Sequence, residues 1–255
     1  MNYKIKIPKT KDLQFIQNYF SKNNLDISNL KINPDVIPPN FLKLYVLHEL
    51  VNLNKRISVL EIGSGWSSLF LGNALNENKK KNKLNLSLLG FKKPYEMISI
   101  DNSLKFLKIA KKRLEIIKKK KIKNRWVHSE VFMSEFNGNI CTFFKNLPVC
   151  QPDFIYLDGP DLTNIKKNKK FKFSTQHPDS LNISGDILRI EFFLIPGTIL
   201  VIDGRGGNVE FLKKNFKRRW KYIFLRQTDQ HIFLLNSEPI GKKNIKLLKY
   251  YFSKN

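Results

Sequence analysis

The sequence predicts an α/β domain whose sheet is mostly parallel, closed by an antiparallel hairpin and preceded by a helical appendage. Three observations carry that expectation. From Ile57 onward, short apolar runs alternate with stretches of helical apolar spacing. Near the carboxyl end the pattern changes to two adjacent strand-like runs, "WKYIFLRQ" and "QHIFLLN", joined at Thr228-Asp229. Before residue 40 the chain has no such alternation, and the prolines of "INPDVIPPN" separate this part from the rest of the chain.

Residues 1–40 form the expected appendage, a basic strand-like start followed by a helix that places Leu13, Phe15, Ile16, Tyr19 and Phe20 at helical spacing. Residues 41–255 form the expected main domain. It opens with a helix over Phe41 to Leu53, then a strand over Ile57 to Ile62 and a helix from Trp66 to about Leu75. The polar, lysine-rich "NENKKKNKLNLSLLGFKKPYE" reads as a surface insertion. A second strand covers Met97 to Ile100 and is closed by Asp101, and Ser103 caps a helix with an apolar stripe from Leu104 to Ile117. Strands three, four and five are expected at Trp126 to Phe132, Asp153 to Leu157 and Thr198 to Ile202. A helix over Gly185 to Leu194 precedes the fifth strand, and another comes after it over Val209 to Phe216.

Composition bounds the function. With 255 residues, 42% of them hydrophobic, the chain can bury a substantial core. The most apolar stretch, Phe192 to Ile202, is far short of the roughly 18 residues of a membrane helix and is broken by Pro196-Gly197. The start carries no secretory-type apolar segment, so a cytoplasmic location is expected. Cys141 and Cys150 have neither redox nor zinc spacing. The net charge of +25 raises nucleic acid as a partner. Lysine dominates arginine, however, and Lys, Asn, Ile and Phe are over-used throughout, as A+T-rich coding drift produces. The basic residues also fall on solvated faces rather than in one cluster with aromatics, so a nucleic-acid partner is not the favoured reading.

The chemistry centres on "SVLEIGSGWSSLF". A strand, a Gly-x-Gly turn and a helix bring backbone N–H groups and a helix N-terminus to the carboxyl edge of the sheet. A dinucleotide fingerprint needs a third glycine where this chain has Ser68. Glu61, two residues before Gly63, repels a pyrophosphate but suits the cationic amino-acid end of S-adenosylmethionine. Asp101 ends the next strand, where a carboxylate can accept ribose hydroxyls. It lies 38 residues beyond Gly63 instead of the usual spacing of about 20, an excess that the insertion accounts for.

Together these segments resemble the class I S-adenosylmethionine-dependent methyltransferases. "VLEIGSGWSS" is similar to their first motif, "ISIDNS" to their ribose-binding strand end, "DFIYLDGPD" to their fourth motif and "IPGTILVID" to their fifth strand. The hairpin is similar to their sixth and seventh strands, so the resemblance implies a Rossmann-like, seven-stranded sheet. It spans roughly Phe41 to Asn236 and leans toward small-molecule and sugar O-methyltransferases. It implies that Glu61, Gly63, Ser64, Gly65 and Ser67 line the methionine end, Asp101 and Asn102 the ribose, and Ser129 and Glu130 the adenine pocket.

Asp158 and Asp203 both end parallel strands, so their carboxylates should converge as a base, or as ligands of a divalent metal acidifying an acceptor hydroxyl. In metal-dependent catechol-type enzymes an Asn follows the second aspartate; here Gly204 replaces it. His177, on the loop after strand four, is a candidate acceptor-side base. Arg205 and Asn208 in "DGRGGN" either reach toward the acceptor or cap the following helix. His231 suits packing, and Asp186 a helix N-terminal charge. The expected function is methyl transfer to a small-molecule or glycan-precursor acceptor at oxygen. An RNA or other nucleic-acid methyltransferase, a protein of this fold without activity, and an NAD-dependent oxidoreductase are the alternatives. Acceptor identity and oligomeric state stay open.

Overall fold

The computed structural model describes residues 4–5, 12–32, 37–82, 84–117, 122–161, 164–167 and 181–253. Ten strands and seven α-helices are found among them. Strands β1 (Ser58–Ile62), β2 (Glu96–Asp101), β3 (Lys123–His128), β6 (Phe154–Leu157), β8 (Ile199–Asp203), β9 (Trp220–Leu225) and β10 (Gln230–Leu235) make the main sheet, in the order β3-β2-β1-β6-β8-β10-β9. Pairing is parallel from β3 to β8, and β10 runs antiparallel to both its neighbours. This is the expected class, with the sequence order reversing on either side of β1. In open α/β sheets that reversal leaves a crevice at the strands' carboxyl ends.

The strands buried on both faces are continuous apolar runs, as parallel strands require. Val59 and Met97 face one hydrophobic cluster while Leu60, Ile62, Ile98 and Ile100 face the other. The first cluster is covered by α1 (Leu13–Lys22), α2 (Phe41–Leu53), α3 (Trp66–Lys81) and α7 (Lys242–Phe252). Asp12 caps α1 by accepting from the Gln14 amide, and Asn40 caps α2 through Lys43 N. Helix α2 is buried from Leu44 through Val51, including His48, whose Nδ1 meets the Tyr19 hydroxyl at 2.7 Å and whose Nε2 meets Asn73 Oδ1 at 2.8 Å. Burial drives the His48 pKa down to about 3, so the ring is a neutral core group. The second face carries α5 (Asp186–Ile190) and α6 (Gly206–Asn215). Helix α4 (Leu104–Leu114), capped by Ser103, sends Leu114 into the first cluster.

Several sequence expectations need correction. The strand expected over Trp126 to Phe132 is two strands. β3 stops at His128, and β4 (Val131–Phe136) leaves the main sheet to pair with β5 (Asn139–Phe144) and β7 (Ile165–Lys166) in a separate three-stranded sheet. The break falls at the polar His128-Ser129-Glu130 between Trp126-Val127 and Val131-Phe132, and the pairing partners change across it. Helix α3 continues through "NENKKK" to Lys81 because Asn78 turns inward, donating to the Val51 and Arg56 carbonyls. The insertion is therefore shorter than expected and contains a 3₁₀ turn at Leu86–Leu89. The helix expected over residues 185–194 is α5 plus a 3₁₀ turn at Glu191–Phe193. Helix α6 starts at Gly206, before Val209, and α7, which buries Leu247, Leu248 and Tyr251, is an addition to the expected elements. No helix among the described residues is long and apolar enough to cross a membrane.

Candidate active site

At the carboxyl ends of β1, β2, β6 and β8 lies a cleft of about 570 Å³. Its shape begins with two glycines in backbone contact. Gly63, after β1, has φ +91°, and a Cβ built on it would stand 2.5 Å from Gly159 N, just past β6. A side chain on Gly159 would likewise meet Gly63 Cα at 2.6 Å. Both positions therefore need glycine for the strand ends to close. At Gly65 a Cβ would meet nothing within 4 Å, so the turn opens into the cleft where α3 begins.

Two carboxylates underpin this turn. Asp101 accepts from Ser64 N (2.6 Å) and Ser64 Oγ (2.8 Å) on one oxygen and from Ser103 N (2.8 Å) on the other. Burial raises its pKa, opposed by those hydrogen bonds. Glu61 is fully buried behind the turn, where Ser67 (2.6 Å), Ser68 (2.7 Å) and Ser99 (2.6 Å) donate hydroxyls to it. Desolvation outweighs the three hydroxyls and pushes its pKa up to about 7. The structure thus sets Glu61 under the turn as its brace, whereas Gly63, Ser64, Gly65, Ser67 and Asp101 line the cleft. Trp66 ties the turn to the preceding connector by donating Nε1 to the Ile37 carbonyl (3.1 Å), and the Arg113 guanidinium stacks 3.6 Å over its indole.

The opposite wall holds charges from four elements. Asp203, ending β8, receives the Lys43 ammonium of α2 at 2.6 Å on Oδ1 and the Tyr156 hydroxyl of β6 at 2.8 Å on Oδ2. Asp158, just past β6, has Arg205 Nε 3.8 Å from its Oδ1 and keeps half its side chain open to the cleft. The Arg205 guanidinium donates to the Asp158, Pro160 and Asn182 carbonyls, which fixes the loop around it. Surroundings poor in water and the nearby Asp203 charge push the Asp158 pKa up to about 7; Arg205 and Lys43 pull the other way. Its open half moderates that push.

The structure brings Asp158, Asp203 and Arg205 together and adds Lys43 and Tyr156, which sequence reasoning alone does not find. Other candidates lie elsewhere. Asn102 pins the loop after β6, donating to the Asp161 and Asn164 carbonyls and accepting from Asp161 N. Ser129 accepts from Asn146 N, and Glu130 makes exposed ion pairs with Lys166 and Lys145 outside the cleft lining. Asn208 holds Ser184 by both backbone groups. His231 stacks against Phe224 and bonds Tyr222, a packing role. Asp186 is buried, accepting from Phe144 N and Ser184 Oγ, with its pKa pushed up to about 7. His177 lies outside the described residues. A divalent metal does not fit the donor set as it stands. Lys43 and Tyr156 engage both oxygens of Asp203, and no group of three or more His, Cys, Asp or Glu side chains gathers among the described residues.

The solved structures similar to this chain include two methyltransferases. One is an O-methyltransferase from Bacillus cereus in complex with SAH, at 14% identity and a TM-score of 0.37, covering 91% of this chain and 93% of that one. The other is a SAH-bound Podospora anserina methyltransferase, at 12% identity and a TM-score of 0.43, covering 91% and 99%. No family model and no curated protein matches the chain.

Proposed function

We propose that this protein is an S-adenosylmethionine-dependent methyltransferase acting at an oxygen of a small-molecule or glycan-precursor acceptor. One observation carries the reading: a single cleft joins an open glycine turn, braced by Asp101 and Glu61, to a wall bearing a half-open carboxylate, Asp158. Gly63, Ser64, Gly65 and Asp101 would hold the donor, the N–H groups of the turn facing its polar end. The donor supplies an electrophilic methyl on a sulfonium, displaced in line by the acceptor oxygen.

The chain then has two tasks, orientation and proton removal. Asp203 is already held by Lys43 and Tyr156, so it serves as a fixed anchor of the wall. Asp158 keeps half its side chain open, with Arg205 Nε 3.8 Å away and the Tyr156 hydroxyl also acting on it. With its pKa raised toward neutrality it is suited to take the acceptor proton as the O–C bond forms. Arg205 fixes the loop that carries it.

Titration calorimetry with S-adenosylhomocysteine tests the reading. Binding to the folded chain is expected, weakened about 10- to 100-fold in Asp101→Ala through loss of the carboxylate that orders the turn. Asp158→Asn is expected to bind the same compound within about twofold, since its role falls on the acceptor. No binding to the folded wild-type chain would refute the assignment.

A further inference from the structure

Asp158 and Asp203 end adjacent strands on one cleft wall, and each charge raises the cost of the other. A cation beside such a pair offsets that repulsion and can also meet negative charge building on a reacting oxygen. Divalent metals commonly fill that part, but here a side chain does. Lys43 comes from the first turn of α2, 160 positions before Asp203, and sets its Nζ 2.6 Å from Asp203 Oδ1. Its stem is anchored at both backbone ends: Lys43 N donates to Asn40 Oδ1, and its carbonyl accepts from Gln230 Nε2 of β10. About a quarter of the side chain stays exposed, and it lines the same cleft as Asp158 and Arg205.

Gly204 lies beside this ion pair. It has φ +59°, and a Cβ placed there would stand 3.1 Å from Asp229 Oδ2 and 4.0 Å from Lys43 Nζ. A side chain added there would crowd the Asp229 carboxylate and reach van der Waals contact with the ammonium, so the left-handed glycine keeps the Asp203 end of the wall open around Lys43.

We propose that the Lys43 ammonium, paired with Asp203 on the wall that also carries Asp158, is the built-in cation of the acceptor half of the cleft, so that methyl transfer here is independent of metal. The chemistry assigned to Lys43 rests on the methyltransferase reading; its pairing with Asp203 does not. In the reaction the acceptor O–H proton passes to Asp158, the acceptor oxygen bonds the methyl carbon, and the C–S bond breaks to leave a neutral thioether. The ammonium donates an N–H toward the oxygen while negative charge builds on it, and neither gains nor loses a proton overall.

Manganese(II) is the probe, followed by loss of its free-ion electron paramagnetic resonance signal on adding the full chain. The wild-type chain is expected to leave that signal unchanged. Lys43→Ala is expected to open a site that binds at least tenfold more tightly than any wild-type binding and vanishes again in Lys43→Ala/Asp203→Asn. Lys43→Arg, which keeps a fixed cation, is expected to stay indifferent to manganese. Melting curves of all variants and S-adenosylhomocysteine calorimetry run alongside, so that failure of the methyltransferase reading shows as lost thioether binding and is separate from the metal result. Manganese binding by the wild-type chain that is lost in Asp203→Asn would overturn the proposal. So would a folded Lys43→Ala as indifferent to manganese as the wild type.

Discussion

Strand β6 has an aspartate at each end, and the two meet opposite fates. Asp153, before the strand, is sealed. It accepts from Ile57 N, Ser58 N and the Tyr251 hydroxyl, with the buried Arg56 guanidinium stacked 3.9 Å over the Tyr251 ring. Asp158, after the strand, also has an arginine and a tyrosine nearby, yet half its side chain faces a cleft. The same residue types build a closed staple at one end of the sheet and an open cleft wall at the other. What separates them is cover: α7 lays Tyr251 over the first end, while Gly63 and Gly159 keep the second end bare.

Breaking the sealed end should cost most. Asp153→Ala leaves the Ile57 and Ser58 amides and the Tyr251 hydroxyl without their acceptor and removes a charge that offsets the buried Arg56, and is expected to destabilise the fold by about 3–5 kcal/mol in urea unfolding. Asp158→Asn, the matching change at the open end, is expected to shift stability by less than about 1 kcal/mol, and at pH 8 in the stabilising direction. The sign follows from a folded pKa raised to about 7 from 3.8: once ionised, Asp158 subtracts from stability, and asparagine cannot ionise. Equal losses in the two variants would erase the distinction between the ends.

Next in size is a pH effect beneath the turn. Glu61 is raised to about 7 from 4.5, so between those values the folded chain keeps a proton that the unfolded chain has released, and stability falls as pH rises. One such group contributes at most about 1.4 kcal/mol per pH unit. Glu61→Gln is expected to shrink the fall between pH 4.5 and pH 7 without removing it, because Asp186 is raised to about 7 in the same direction. Thermal melts across that window check this, and an unchanged slope would contradict the buried placement of Glu61. The smallest contrast is between the tyrosines. Tyr251→Phe takes a hydroxyl from a fully buried carboxylate and should cost about 1–2 kcal/mol, whereas Tyr156→Phe leaves Lys43 on Asp203 and should cost about 1 kcal/mol or less.

The glycine turn was legible in the sequence because its parts are consecutive: an apolar strand, two glycines and a helix start within a dozen residues. Asp101, Asp158 and Asp203 were legible for a related reason, each coming after a recognisable apolar run at a strand end. Lys43 was not, because its meaning arises only when α2 packs across the ends of β6 and β8. The one available signal was a charged residue in the first, otherwise apolar, turns of "FLKLYVLHELV". The direction in which Glu61 points was hidden as well, since Ser67, Ser68 and Ser99 read as ordinary helix and strand residues until the register sets Ser99 opposite Glu61. The second sheet escaped because the polar His128-Ser129-Glu130 between two apolar pairs is short enough to read as part of one strand, yet Ser129 and Glu130 are where the chain changes sheets.

The 160 positions between Lys43 and Asp203 bear on how the chain is made. At ribosomal speeds of about 5–20 residues per second, Lys43 emerges roughly 8–32 s before its carboxylate exists. Until then the ammonium lacks the carboxylate that fixes it in the folded chain. The wall of the cleft is therefore among the late pieces of this molecule to close, whatever the pace at which the glycine turn has formed.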